Sequence, residues 1–311
     1  MPAPADQDRP ADQDRPAGHD RPVCTAVTPS LLRAWPLPET GGSKYGRGQV
    51  VVVGGAARTP GAAVLGAVAA LRVGAGRLTV ALAASVAPHV SVAVPECGVV
   101  PLDETADGHV RGDSVQAAAD DLAGADAVLV GPGLDDADEA AALLRHLPDL
   151  VADDAVVVLD AFALGVLVDL PEVAQAFGGR LVLTPNSGEL GRLLGRDPAE
   201  GDEGAEDDAR EVARRYGAVV SAMSLVAAPD GRTWRSGTGH GGLATSGSGD
   251  VLSGAIAGLA ARGCDPAQAA VWATQAHATA GDRLSVQVGP MGFLARELLD
   301  ELPRVFVELS A

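Results

Sequence analysis

Short apolar runs that stop abruptly at glycine or a polar residue, with helix-like segments between them, constrain this chain more than any other feature. Gln49–Val53 runs into Gly54 and Gly55, Ala127–Val130 into Gly131, Pro132 and Gly133, Val156–Leu159 into Asp160, and Leu181–Leu183 into Thr184, Pro185 and Asn186. A continuous β-branched run suits a strand buried on both faces. Strands alternating with helices predict an α/β fold: a mostly parallel sheet with a ligand site at its carboxyl edge. After the first run, Pro60 stands where a first helical turn tolerates proline, and residues 62–73 are rich in Ala and Leu. Gly74 and Gly76 close that helix, and residues 78–81 give the next strand. The intervening loop, GGAARTPG, departs from the G-x-G-x-x-G dinucleotide fingerprint, and no acidic residue ends the second strand to hold a ribose.

The second constraint is residues 239–259, GHGGLATSGSGDVLSGAIAGL, a glycine-dense loop that enters an apolar stretch with helical spacing. Leu252, Ile256 and Leu259 place the helix start near Gly249 or Asp250. Backbone N–H groups gathered at that end favour phosphate oxygens, and glycine lets a ligand approach closely. A carboxylate there is repelled by phosphate unless it takes part in the chemistry, for instance by accepting a hydroxyl proton during phosphoryl transfer. The plainer alternative is that Asp250 or Ser248 caps the helix.

The 311 residues could hold one large α/β domain or two ordinary ones, and with 47% hydrophobic but only 3% aromatic residues the core must be built from Ala, Val and Leu. A net charge of −18 argues against a nucleic-acid partner. A phosphate-bearing small ligand therefore needs local N–H groups to screen it, which the glycine loop can supply. Cys24, Cys97 and Cys264 are widely spaced with no CxxC pair, so neither a disulfide framework nor a zinc site is expected, and a reducing cytoplasm fits. No signal-peptide pattern or bilayer-length apolar run is present.

Residues 5–22 repeat ADQDRP, ADQDRP and AGHDRP, with no apolar face to bury. Residues 1–27 are accordingly read as a disordered Asp/Pro-rich tail, and 28–311 as the folded domain. Residues 201–208 are expected to be a solvated acidic loop. The chain from Val219 through the APDGR turn at 228–232 is read as a hairpin of late strands, and 268–281 and 292–302 as closing helices.

GQVVVVGGAARTPGAAVLGAVAALRVGAGRLTVA, VLVGPGL, VVVLDAFAL, LTPNSGEL and GLATSGSGDVLSGAIAGL occur in an order and spacing that resemble the NAD(P)H-hydrate dehydratase family of the ribokinase-like superfamily. The resemblance runs from about Thr28 to the C-terminus. It implies a three-layer sandwich with a mostly parallel central sheet and helices on both faces. It also implies dehydration of the S-form of NADH or NADPH hydrate by an adenine nucleotide, ADP or ATP, with Mg²⁺. The nucleotide phosphorylates the ring hydroxyl and phosphate is then eliminated. Asp250 matches the catalytic aspartate and, with Ala62, Ala63, Gly133 and Asn186, the substrate-binding positions; Ser224, Gly247 and Gly249 match nucleotide-binding positions. A cytoplasmic homo-oligomer is implied as well.

This chain departs from the family pattern in three places. Asn186 stands where Pro-His-x-Gly-Glu has histidine, and Phe162 where Asp-Ala-Asp-Ala-Leu has its second aspartate. The Lys-Gly-x-x-Thr segment is shortened and has no lysine, leaving Ser224 in place of the threonine. A small-molecule kinase of the same fold and a nucleotide-binding homologue that has lost catalysis are the competing readings.

Overall fold

The computed structural model describes residues 23–39, 41–239 and 241–311. The valine runs become the middle of a 10-stranded sheet. Its strands are β1 (Thr25–Val27), β2 (Gln49–Val53), β3 (Arg77–Ala83), β4 (Gly98–Leu102), β5 (Ala127–Val130), β6 (Val156–Leu159), β7 (Leu181–Leu183), β8 (Val219–Ala222), β9 (Leu225–Ala227) and β10 (Thr233–Ser236). Their order is β1-β10-β9-β8-β7-β6-β5-β2-β3-β4, and all pairs are parallel except β8 with β9 and β9 with β10.

Side chains alternate across each strand, so the sheet divides two apolar cores. Val50 and Val52 face one core, shared with helices Pro60–Arg72, Ser248–Ala261, Pro266–Gln287 and Ala295–Ser310. Val51 and Val53 face the other, shared with helices Ala137–Leu150, Ser187–Leu194 and Gly201–Tyr216. With so few aromatic side chains, close approach of small residues does the packing. In Ser248–Ala261, a Cβ on Gly254 would fall 2.0 Å from the Gly66 carbonyl oxygen, and one on Gly258 2.6 Å from that of Ala70.

Two expectations are corrected. Residues 201–208 are the first half of helix Gly201–Tyr216, in which Glu206 and Asp208 are buried. Their charges are compensated: Glu206 pairs with Arg210 one turn on, and Asp208 accepts from Arg196 at 2.7 Å and from the Ala199 N–H at 2.6 Å. The folded region also begins before residue 28, because Thr25–Val27 pairs in parallel with Trp234–Ser236. The hexamer repeat at 5–22 lies outside the described residues.

Candidate active site

All parallel strands present their carboxyl ends on one edge, and helix Ser248–Ala261 starts there. Gly247 is its N-cap, with a φ of 89° that favours glycine, and a Cβ there would lie 2.5 Å from Leu65 Cδ1. Ser248 sits at the first helical position, its N–H bonded to the Thr245 carbonyl at 3.2 Å. The N–H groups of Gly249 and Asp250 have no partner among the described residues, as expected of an uncapped helix start. No side chain caps this helix, so the capping alternative for Asp250 and Ser248 falls away. The Asp250 carboxylate is instead turned towards Gly247, whose Cβ position is 3.8 Å from Asp250 Oδ2.

That carboxyl is held far above the usual carboxylate range, at about 7, first by burial and then by the negative charges of Asp160 and Glu189. Asp160, at the end of β6, is itself buried and raised by desolvation, although Thr184 Oγ1 donates to it at 2.8 Å. Glu189 is raised mainly by burial and forms a reciprocal capping box with Asn186. The Glu189 N–H donates to Asn186 Oδ1 at 3.0 Å, and the Asn186 N–H donates to Glu189 Oε2 at 2.9 Å. Asn186 thus fixes the position of one of the charges that raise Asp250.

Beside Asp250 lies a cleft of about 540 Å³ whose walls include Asn186, Ser224, Thr238, Ser248, Gly249 and His277. Among the described residues no Lys or Arg lines it. Where a lysine-bearing segment is usual in the family, β8 turns back into β9 through Met223 and Ser224 alone. Met223 takes a φ of 56°, an uncommon conformation for a non-glycine residue, at the mouth of this cleft. The polar groups along it include the hydroxyls of Ser221, Ser224, Thr238 and Ser248 and the backbone of Gly249.

The remaining sequence-predicted residues lie on the loop after β5 and at the start of helix Pro60–Arg72. Gly133 has a φ of 75°, and a Cβ on it would fall 2.3 Å from the Thr59 carbonyl oxygen. Its own carbonyl accepts from Ala56 N–H and Thr59 Oγ1, both at 2.8 Å, which locks the loops after β2 and β5 together. Ala62 is half-buried, whereas Ala63 is wholly buried against Gly55, so of the two side chains only that of Ala62 is open to a ligand. Phe162 is partly exposed at the start of helix Phe162–Leu167 and supplies no carboxylate. Sequence reading did not assign Asp160, Glu189 or His277 to the site; the rule that strands end in site residues would have found Asp160. Among the described residues no group of three or more His, Cys, Asp or Glu side chains is arranged to hold a metal ion.

A parallel sheet flanked by helices, with a glycine-rich helix N-terminus and a nearby carboxylate at its carboxyl edge, defines a ribokinase-like protein. A ribokinase-like superfamily protein from Enterococcus faecalis has the same fold, with a TM-score of 0.75 at 21% identity over 92% of this chain and 96% of that one. More particularly, the chain belongs to the NAD(P)H-hydrate dehydratase family, whose model matches residues 50–304. It is 45% identical to the ADP-dependent (S)-NAD(P)H-hydrate dehydratase of Xanthomonas campestris over 91% of this chain and 96% of that protein. It is also similar to the ADP/ATP-dependent NAD(P)H-hydrate dehydratase of Bacillus subtilis co-crystallized with ATP/Mg²⁺, with a TM-score of 0.74 at 29% identity over 92% and 99% of the two chains. It spans about half the length of the bifunctional NAD(P)H-hydrate repair enzymes that it also matches.

Proposed function

We propose that this protein is an ADP-dependent (S)-NAD(P)H-hydrate dehydratase. The observation that carries this reading is Asp250, a carboxyl raised to about 7 beside unpartnered N–H groups at the mouth of a cleft large enough for a nucleotide. Hydroxide is a poor leaving group and phosphate a good one, so dehydration proceeds through a phosphoryl ester. Asp250 takes the proton of the ring hydroxyl as its oxygen bonds to the terminal phosphorus of the nucleotide. The phosphorus–oxygen bond to the rest of the nucleotide breaks, and the N–H groups of Gly249 and Asp250 stabilise the charge on the transferring group. Loss of phosphate, with a proton from the adjacent ring carbon, restores the double bond. A base with a pKa near 7 is about half in its accepting form at neutral pH and holds the proton well once accepted.

In this reading Gly133, Ala62 and Asn186 lie on the hydrate side of Asp250, and Ser224, Gly247 and Gly249 on the nucleotide side. ADP is favoured as the donor by the name of the Xanthomonas relative. The described residues offer no three-ligand metal set, and Mg²⁺ would arrive with the nucleotide, held by its phosphates. A cytoplasmic homo-oligomer is part of the proposal, and a monomer by light scattering at micromolar concentration would remove the assembly from it.

The test is to incubate the protein with NADH hydrate and ADP or ATP and follow recovery of reduced-nicotinamide absorbance. Recovery with ADP is expected. Nucleotide turnover only with another alcohol would make the protein a kinase, and thermal stabilisation by nucleotide without turnover would make it a binder.

A further inference from the structure

One helix pins several walls of the cleft. From Pro266–Gln287, Thr274 Oγ1 lies 2.8 Å from Ser221 Oγ at β8, and Gln275 Oε1 accepts from Ser236 Oγ at 2.9 Å at the end of β10. Its Gln275 Nε2 donates to Thr238 Oγ1 at 2.9 Å, and Asp282 accepts from the Gly239 N–H at 3.1 Å. These bonds all hold framework. The bonds of His277 differ, because they reach the first residue of the helix that carries Gly249 and Asp250.

His277 Nε2 lies 3.0 Å from the Ser248 carbonyl oxygen and 3.0 Å from Ser248 Oγ. A carbonyl can only accept, so Nε2 carries the ring proton in this contact. The Ser248 hydroxyl oxygen, facing that same N–H, is then an acceptor towards it, and the hydroxyl's own proton is left for another partner. Among the described residues no group accepts that proton, yet Ser248 is buried, lines the cleft and adjoins the unpartnered N–H groups of Gly249 and Asp250. Three donors on consecutive residues of the helix start thus meet no acceptor among the described residues, an arrangement that suits an anionic oxygen.

We propose that Ser248 is a ligand of the nucleotide phosphates and that His277 is the positioning residue which turns its hydroxyl proton into the cleft. The inference deepens the nucleotide-dependent reading given above and rests on the cleft being the nucleotide site. Burial keeps His277 neutral, with its pKa pushed down to about 4, so the imidazole adds no charge to the site at neutral pH.

The test measures ADP affinity by calorimetry, alongside KM for ADP and for NADH hydrate. Ser248→Ala is expected to weaken ADP binding about tenfold, the size of one hydrogen bond to a charged group. The KM for the hydrate should stay within about twofold, as the lost contact is on the nucleotide side. His277→Leu should weaken ADP to a similar degree, and His277→Gln, whose amide N–H can stand in for Nε2–H, should recover most of that loss. Because His277 acts through Ser248, the double variant Ser248→Ala/His277→Leu should bind ADP no more weakly than Ser248→Ala alone. Unchanged affinity in Ser248→Ala, or losses that simply add in the double variant, would overturn the proposal. Should His277→Leu fail to fold, Ser248→Ala and His277→Gln still decide it. If the wild-type protein binds ADP but turns over no hydrate, the functional reading fails and the affinities still test this one; no ADP binding at all would end both.

Discussion

Asp250 owes its properties to its neighbours, which makes them open to test. In the proposed mechanism its carboxylate form accepts the proton, so kcat/KM should fall as pH drops through about 7, the value to which burial, Asp160 and Glu189 raise it. Asp160→Asn removes one of those charges, and the acid limb should then move to lower pH; an unmoved limb would show that Asp160 does not contribute to the shift. The same shift has a cost in stability. The folded state holds this proton more tightly than the unfolded chain, whose ordinary value is 3.8, so the stabilisation is complete below about 4 and is lost as pH rises through about 7. Asp250→Asn should therefore melt at a higher temperature than wild type at about pH 8, by the order of a few kcal/mol, with the gain gone near pH 4. Turnover should fall about 10²- to 10⁴-fold in the same variant while ADP binding is retained. Equal melting temperatures at both pH values would mean that Asp250 is not desolvated as described. Asp250, Gly247 and Gly249 were legible in the sequence because a glycine loop entering an apolar helix is a local pattern. Asp160, Glu189 and His277 come to the site from separate strands and helices by packing, which no local spacing records.

At the scale of elements, the placement of Asp250 depends on how closely helix Ser248–Ala261 lies against Pro60–Arg72. A Cβ on Gly254 would fall 2.0 Å from the Gly66 carbonyl oxygen, and that partner is backbone, which cannot swing aside. Gly254→Ala should therefore force the helices apart, lowering stability by about 1–3 kcal/mol or more and reducing turnover with it. A thermal melt and a kcat measurement check this; an unchanged melting temperature would show that the two backbones do not touch. The same packing explains what could be read beforehand. The central strands announced themselves because β2, β5 and β6 are buried on both faces and so are continuous in valine and leucine. Strand β4, GVVPL, did not, since an edge strand tolerates Pro101 and half-exposed positions. The first half of helix Gly201–Tyr216, residues 201–208, reads as a loop in the sequence because it is mostly acidic. A charge run looks solvated until its partners, Arg196 and Arg210, are brought alongside by the fold.

For the molecule as a whole, the decisive quantity is a net charge of −18 around a cleft that, among the described residues, no Lys or Arg lines. Most phosphate sites attract their ligand with fixed cations, and added salt then weakens binding. Here the long-range field repels a nucleotide, and attraction begins only at contact, from N–H groups and hydroxyls whose dipoles act over a short distance. Salt screens the first effect over a Debye length of about 10 Å at 0.1 M and hardly touches the second. Raising NaCl from about 20 mM to about 200 mM should therefore lower the KM for ADP or leave it unchanged, and should raise kcat/KM for the doubly charged NADH hydrate. The comparison must hold Mg²⁺ in excess, so that the ionic form of the nucleotide does not change along the series. A severalfold rise in the KM for ADP over that range would mean that a cation from elsewhere in the chain, or from a second subunit, completes the phosphate site, and that the missing lysine has been replaced rather than dispensed with.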